Sequence, residues 1–164
     1  MYQILIDQDV LGKVSLLLIQ KKLTVATAES CTGGLIAHFL TNISGSSEYF
    51  DRGIVSYSNR SKVELLDVSE KLFEKYGAVS KQVAESMASG VRIKSNVDIG
   101  VSTTGIAGPT GGTKEKPVGL VFIGISSQKN TIVKKFYFDR DRLKNKESTC
   151  NEALKLLLDI LTKS

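Results

Sequence analysis

The chain is poor in the residues that build most metal, redox and histidine-based sites: it has two cysteines, one histidine, two prolines and no tryptophan in 164 residues. Cys31 and Cys150 cannot make the disulfide framework that staples small secreted domains. With His38 they give three soft ligands at most, from distant positions, whereas zinc takes about three or four Cys or His ligands. No cluster of carboxylates argues for an oxygen-ligated ion, so neither metal nor cofactor is expected. The longest apolar runs fall far short of the roughly 20 residues that a membrane-spanning helix needs. Residues 1–9 mix polar and apolar types without a leader pattern. The expectation is a cytoplasmic chain with no membrane partner. Without tryptophan, and without a basic stripe interleaved with aromatics, nucleic acid is not an expected partner either. The formal net charge of +5 reads as a slightly basic solvated surface, with attraction of an anionic substrate as the sharper alternative.

What is present is an alternation of helical and strand-like segments over a length suited to one domain, taken as residues 1–164. Apolar periodicity predicts helices over 10–20, 32–40, 59–66, 70–76, a segment beginning after Ser80, and 144–161. Short β-rich runs predict strands over 23–28, 53–57, 98–104, 118–126 and 131–138. Residues 118–126 are apolar on both faces, which suits a central strand, and 131–138 reads as its antiparallel partner. The implied fold class is α/β, with a mixed sheet covered on both faces. In such sheets ligands bind beyond the carboxyl ends of the strands. That rule selects residues 29–34, 57–62 and 105–112.

The first segment runs Glu29-Ser30-Cys31-Thr32-Gly33-Gly34, from a strand end into a helix start. Unpaired N–H groups there can hold an oxyanion or phosphate, with Ser30 at their lip. The segment serves equally well as a plain N-cap serine with glycines for close packing. A serine nucleophile needs a base. On a continuous helix His38 would lie about 12 Å along the axis from Ser30, at roughly 1.5 Å per residue, which excludes a histidine triad. Lysine is the known substitute. The second segment, Tyr57-Ser58-Asn59-Arg60-Ser61-Lys62, supplies one, although most lysines are simply solvated. Tyr57 is a candidate to relay a proton or orient a substrate. Cys31 is a rival nucleophile at a helix start, ranked below Ser30 because no histidine can pair with it. The third segment, from Thr104 and Gly105 through Gly108, Pro109, Gly111 and Gly112, suits close backbone approach to a ligand. It matches neither a Walker A loop nor GxGxxG.

Taken in order, Thr27-Ala-Glu-Ser-Cys-Thr-Gly-Gly34, Tyr57-Ser-Asn59 with Lys62, Gly77-Ala-Val-Ser80, Thr104-Gly-Ile-Ala-Gly-Pro109 and Lys116-Pro-Val-Gly119 resemble the CinA C-terminal family from about residue 9 onward. The larger N-terminal domain of full-length members has no counterpart in these motifs, so its ADP-ribose pyrophosphatase activity is not expected here. The resemblance implies a three-layer α/β/α fold with a mixed, mostly parallel sheet. It implies an amidohydrolase that converts nicotinamide mononucleotide into nicotinate mononucleotide and ammonia, a small-molecule nucleotide substrate, and self-association into a homo-oligomer. By motif match Ser30 is the nucleophile and Tyr57 and Lys62 its activating partners. Glu29, Cys31, Thr32, Gly33, Thr104, Gly105, Gly108, Gly111, Gly112 and Arg140 become substrate contacts. One stretch departs from the family pattern of Gly-Asp-Arg followed by an arginine four residues later. Here Phe138-Asp139-Arg140 precedes Lys144, which supplies charge without the planar fork that grips a phosphate in two places. The competing class is a non-catalytic nucleotide-binding or competence-related interaction module, which would keep the glycine loop and have no need of Lys62.

Overall fold

Five strands form one sheet in the order β2-β1-β3-β4-β5. They are β1 (Val25–Glu29), β2 (Phe50–Val55), β3 (Ile99–Gly105), β4 (Leu120–Ser126) and β5 (Thr131–Tyr137). β1 pairs parallel with β2 and β3, and β4 pairs antiparallel with β3 and β5, so only β4 runs against the rest. The computed structural model describes residues 5–163; residues 1–4, part of the stretch read for a leader, lie outside it. Among the described residues no helix is long and apolar enough to cross a membrane.

The helices are α1 (Gln8–Lys21), α2 (Leu35–Thr41), α3 (Asn59–Leu66), α4 (Glu70–Tyr76), α5 (Lys81–Ser95) and α6 (Arg142–Lys163). α1, α2 and α6 cover one face of the sheet through a core that includes Leu11, Leu18, Ile36, Leu40, Leu154 and Leu157. α3, α4 and α5 cover the other through Leu66, Val83, Met87 and Val91 against Ala26 and Ala28. The result is three layers, α/β/α. Every residue of β1 is buried because both of its faces are covered.

The face under α5 is lined by small residues, and that lets the helix approach closely. A Cβ on Gly100 would run into the carbonyl oxygen of Ala88, and one on Gly124 would lie 2.6 Å from Ser102 Oγ. Ser102 in turn donates to Ala84 O at 2.6 Å.

Two expected boundaries move by three residues, and others by one or two. α2 starts at Leu35, not residue 32, because Gly33 (φ +64°) and Gly34 (φ +94°) take left-handed conformations and make residues 31–34 a turn. β2 starts at Phe50, three residues before the expected strand. Its register with β1 slips at Asp51, between the Val25–Phe50 and Ala26–Arg52 pairs. The charged Asp51 and Arg52 break hydrophobic periodicity on this exposed edge, where charge is common.

The α5 contact generates a stability prediction. Gly100→Ala should lower stability by about 1–3 kcal/mol, the usual range for overpacking, with the shift read from urea denaturation midpoints.

Candidate active site

Parallel pairing brings the carboxyl ends of β1, β2 and β3 side by side. The pairing continues one residue past the strands: Ser30 N donates to Thr103 O at 3.0 Å and Ser56 N to Glu29 O at 2.9 Å. Ser30 therefore leaves β1 between its two neighbours. Next to it, Ser58 caps α3 by accepting from Ser61 N at 3.0 Å. This sets Lys62 one turn in, with its side chain reaching back toward the strand ends.

Lys62 is 1% exposed. Its Nζ lies 3.1 Å from Ser30 Oγ, 2.8 Å from Ser56 O and 3.1 Å from Tyr57 O. Among the described residues no carboxylate contacts it. Burial therefore pushes the Lys62 ammonium down, from the ordinary value near 10.5 to about 8. The neutral amine has two N–H donors, which match the two carbonyls. Its lone pair is then left for the Ser30 hydroxyl proton.

Glu29 is fully buried, and it faces away from this pair. Its carboxylate accepts from Thr32 Oγ1 (2.6 Å), Thr27 Oγ1 (3.2 Å) and the N–H groups of Gly34 (3.0 Å), Ile36 (3.1 Å) and Ala37 (2.8 Å). Gly34, the N-cap of α2, has no side chain to satisfy these amides. Glu29 does so from below, so its expected role as a substrate contact gives way to one of shaping the turn. By contrast, the N–H groups of Cys31 and Thr32 meet no acceptor oxygen among the described residues. They are the N–H groups that directly follow Ser30 in the turn.

The remaining expected residues divide. The Thr32 hydroxyl is buried between Glu29 and Thr103 Oγ1, 2.8 Å away. Burial pushes the Cys31 thiol up to about 12, so it stays protonated and is no rival nucleophile. Tyr57 is 60% exposed, and its hydroxyl accepts from Arg142 Nη2 at 2.9 Å. Only its backbone carbonyl reaches Lys62, so the phenol is not placed as a proton relay. The Thr104 hydroxyl donates to Ala78 O at 2.8 Å. Side chains alternate along a strand, and it is Thr103 that faces the 30–34 turn. Gly105 answers to packing, since a Cβ there would lie 2.7 Å from Val121 Cγ2. Gly108 is buried under Val118, while Gly111 and Gly112 are exposed further along the loop. His38 is exposed on α2 and contacts Asn42, 3.2 Å away.

Arg140 lies apart from the centre, in a surface hollow with Asp7, Glu147, Glu152 and Lys155. The arginine at the centre is Arg142, which sequence reasoning passed over. Besides Tyr57 it donates from Nη1 to Gly108 O at 2.8 Å, tying β2, the glycine loop and α6 together. Asn145 joins the same loop by donating from Nδ2 to Ala107 O at 3.0 Å. The sequence signal for Asn145 was its place at the start of the expected 144–161 helix; Arg142 lay two residues before it.

Replacing Glu29 by alanine would strand three amides under α2. With each buried donor left unpaired costing roughly 1–3 kcal/mol, Glu29→Ala should destabilise the fold by about 3 kcal/mol or more, as measured by urea denaturation.

Comparison with known proteins agrees with this architecture. The model of the CinA C-terminal domain matches residues 7–161. A putative competence-damage inducible protein of Caldicellulosiruptor bescii is 51% identical over 93% of the chain, which spans 37% of that relative's length. The crystal structure of a competence/damage inducible protein from Agrobacterium tumefaciens superposes with a TM-score of 0.90 at 39% identity, covering 95% of this chain and 98% of that one. A CinA superfamily protein from Escherichia coli gives a TM-score of 0.88 at 31% identity, covering 96% and 95%. With its sequence motifs, sheet order and full-length superposition in agreement, this chain belongs to the CinA C-terminal domain family.

Proposed function

We propose that this domain is an amidohydrolase that deamidates nicotinamide mononucleotide to nicotinate mononucleotide and ammonia, with Ser30 as nucleophile and Lys62 as base. One observation carries the chemistry: a buried amine 3.1 Å from a serine hydroxyl, with its other two partners both neutral carbonyls. The motif resemblance supplies the substrate.

The reaction is acyl transfer. Lys62 Nζ takes the Ser30 proton as Oγ attacks the carboxamide carbon. The oxyanion forms against the free N–H groups of Cys31 and Thr32, where each donor of this kind is worth roughly 3–4 kcal/mol in a comparable site. Lys62 returns the proton to the departing nitrogen and ammonia leaves. It then deprotonates the water that cleaves the acyl-enzyme. The competing reading, a binding module without chemistry, gives no reason for a buried lysine beside a serine hydroxyl. Burying a cation without a counter-charge is costly.

Ser30→Ala and Lys62→Ala should each lower ammonia release from nicotinamide mononucleotide by about 10³-fold or more. Equal activity in all three proteins would sink the mechanism. Binding of the nucleotide without turnover in the wild type would favour the module.

The lowered Lys62 pKa has two pH signatures. Activity needs the neutral amine, so it should climb with pH through about 8 and then level. Between about 8 and 10.5 the unfolded chain holds a proton on Lys62 that the folded chain has released. Raising the pH across that window therefore favours the folded state. Denaturation of wild type against Lys62→Met should show wild type gaining stability relative to the variant over the same interval.

A further inference from the structure

We propose that Lys116 is a positioning residue of this centre: its ammonium fastens the turn that follows α4 to the glycine-rich loop, and so holds that turn against the end of β3 beside Ser30. The effect on turnover rests on the amidase reading above; the fastening does not.

Two of the motifs read in the sequence, Gly77-Ala-Val-Ser80 and Lys116-Pro-Val-Gly119, take no part in the chemistry, yet the fold brings them together. α4 ends at Tyr76, and the last carbonyls of a helix lack intrahelical partners. Three consecutive carbonyls are held there by side chains from the glycine-rich loop, the cap of α5 and β3. Tyr76 O accepts from Lys116 Nζ, Gly77 O from Ser80 Oγ at 2.9 Å, and Ala78 O from Thr104 Oγ1 at 2.8 Å. The helix dipole also favours a cation at this end. Gly77 has to be bare for the contact: a Cβ there would lie 2.8 Å from Lys116 Nζ, and its φ is +76°.

Strand register puts this turn next to the nucleophile. Glu29 pairs with Thr103, and Ser30 N donates to Thr103 O at 3.0 Å, so Ser30 continues β1 opposite Thr104. Glu29 and Thr103 both turn toward Thr32. Side chains alternate along a strand, so Ser30 and Thr104 share the opposite face, where Ser30 meets Lys62 and Thr104 meets Ala78. The turn held by Thr104 therefore borders the Ser30–Lys62 contact.

Of the three holds, Ser80 is local and Thr104 is fixed in the sheet, so it is Lys116 that ties the turn to the glycine-rich loop. Lys116 is half-buried, and its backbone closes a turn with Thr113: Lys116 N donates to Thr113 Oγ1 at 3.0 Å and Thr113 N to Lys116 O at 2.8 Å. Residues 111–115 are exposed. The other limb of the loop is held to α6 through Gly108 O and Ala107 O. Releasing Lys116 would slacken the second limb and the turn after α4 together. A misplacement of about 1 Å, even from a change far from the chemistry, can cost roughly 10²-fold in rate, so slackening beside Ser30 should be read in kcat. A lysine that merely capped α4 would leave kcat untouched.

The test uses the whole chain and two readouts. In Lys116→Met, NMR order parameters of the Gly77, Ala78 and Val79 amides should fall from about 0.85, the value of rigid backbone, to below about 0.6, with β1 and β3 as in wild type. The kcat for ammonia release from nicotinamide mononucleotide should fall about tenfold, while KM changes less than about twofold. Lys116→Arg, which keeps a cationic donor, should restore both. Lys114→Met, on the exposed part of the same loop, should change neither. Order parameters at 77–79 that stay at the wild-type level in Lys116→Met, an unchanged kcat, a rise in KM in place of the fall in kcat, or failure of Lys116→Arg to restore turnover would each overturn the proposal. If wild type releases no ammonia from the nucleotide, the amidase reading fails, and the order parameters still decide whether Lys116 fastens the turn.

Discussion

The chemistry of this centre depends on a lysine buried without an acid. Lys62 Nζ is held by two backbone carbonyls at the end of β2 and by Ser30 Oγ. A carboxylate in place of either carbonyl would hold the amine charged, with no lone pair for a proton. Carbonyls accept hydrogen bonds and carry no net charge, so they fix the position of Nζ while burial favours its neutral form. The carbonyls are available because β2 ends at Val55 and the chain crosses Ser56 and Tyr57 before Ser58 caps α3. Strand end, cap and first helical turn together bury an ordinary surface residue type beside a serine hydroxyl.

Glu29 completes that arrangement. A buried carboxylate next to the nucleophile in sequence would ordinarily seek the nearest cation, and Lys62 is close at hand. The fold prevents this by turning Glu29 onto the opposite side of the strand, where three α2 amides and two hydroxyls surround it. The positive end of the helix meets this internal anion. Burial is accordingly the largest influence on Lys62, and Glu29 is not among the groups that shift it. The same contacts draw the Gly34, Ile36 and Ala37 amides inward, while those of Cys31 and Thr32 meet no acceptor oxygen among the described residues. One side chain thus satisfies the start of α2 and leaves Lys62 without a carboxylate partner among the described residues.

The alternation of strands and helices was legible in the sequence, and so was the pairing of Ser30 with Lys62, because both sit just past neighbouring strand ends in a sheet whose site lies at that edge. The extents of α3 and α4 follow from their caps, Ser58 and Gly77, and match the expected helices. Removal of His38 from the chemistry also followed from spacing alone. Other features needed coordinates. Nothing in a Gly-Gly pair says whether it opens a helix or delays one, and the positive φ at Gly33 and Gly34 delayed α2 to Leu35. Thr103 and Thr104 are interchangeable as letters, and only the strand's two-residue alternation in its actual register turns one to Thr32 on the Glu29 side and the other to Ala78. Tyr57 contributes through its carbonyl, a group every residue carries and no motif can reveal.

Arg140 and Arg142 show a different limit. They lie two residues apart in a run of alternating charge, so a pattern of Asp-Arg with a cation four residues later fits both Asp139-Arg140 with Lys144 and Asp141-Arg142 with Lys146. α6 begins at Arg142, and the onset of the helix fixes which charges turn toward the glycine loop. Ser30 follows β1, a strand buried on both faces, and Lys62 is enclosed on α3, so packing leaves little room for change at either. The cations belong to the first turns of a partly exposed helix, where a shift of two positions costs the core nothing. Substitutions at the start of α6 can therefore alter the charge displayed there while the Ser30–Lys62 contact stays in place.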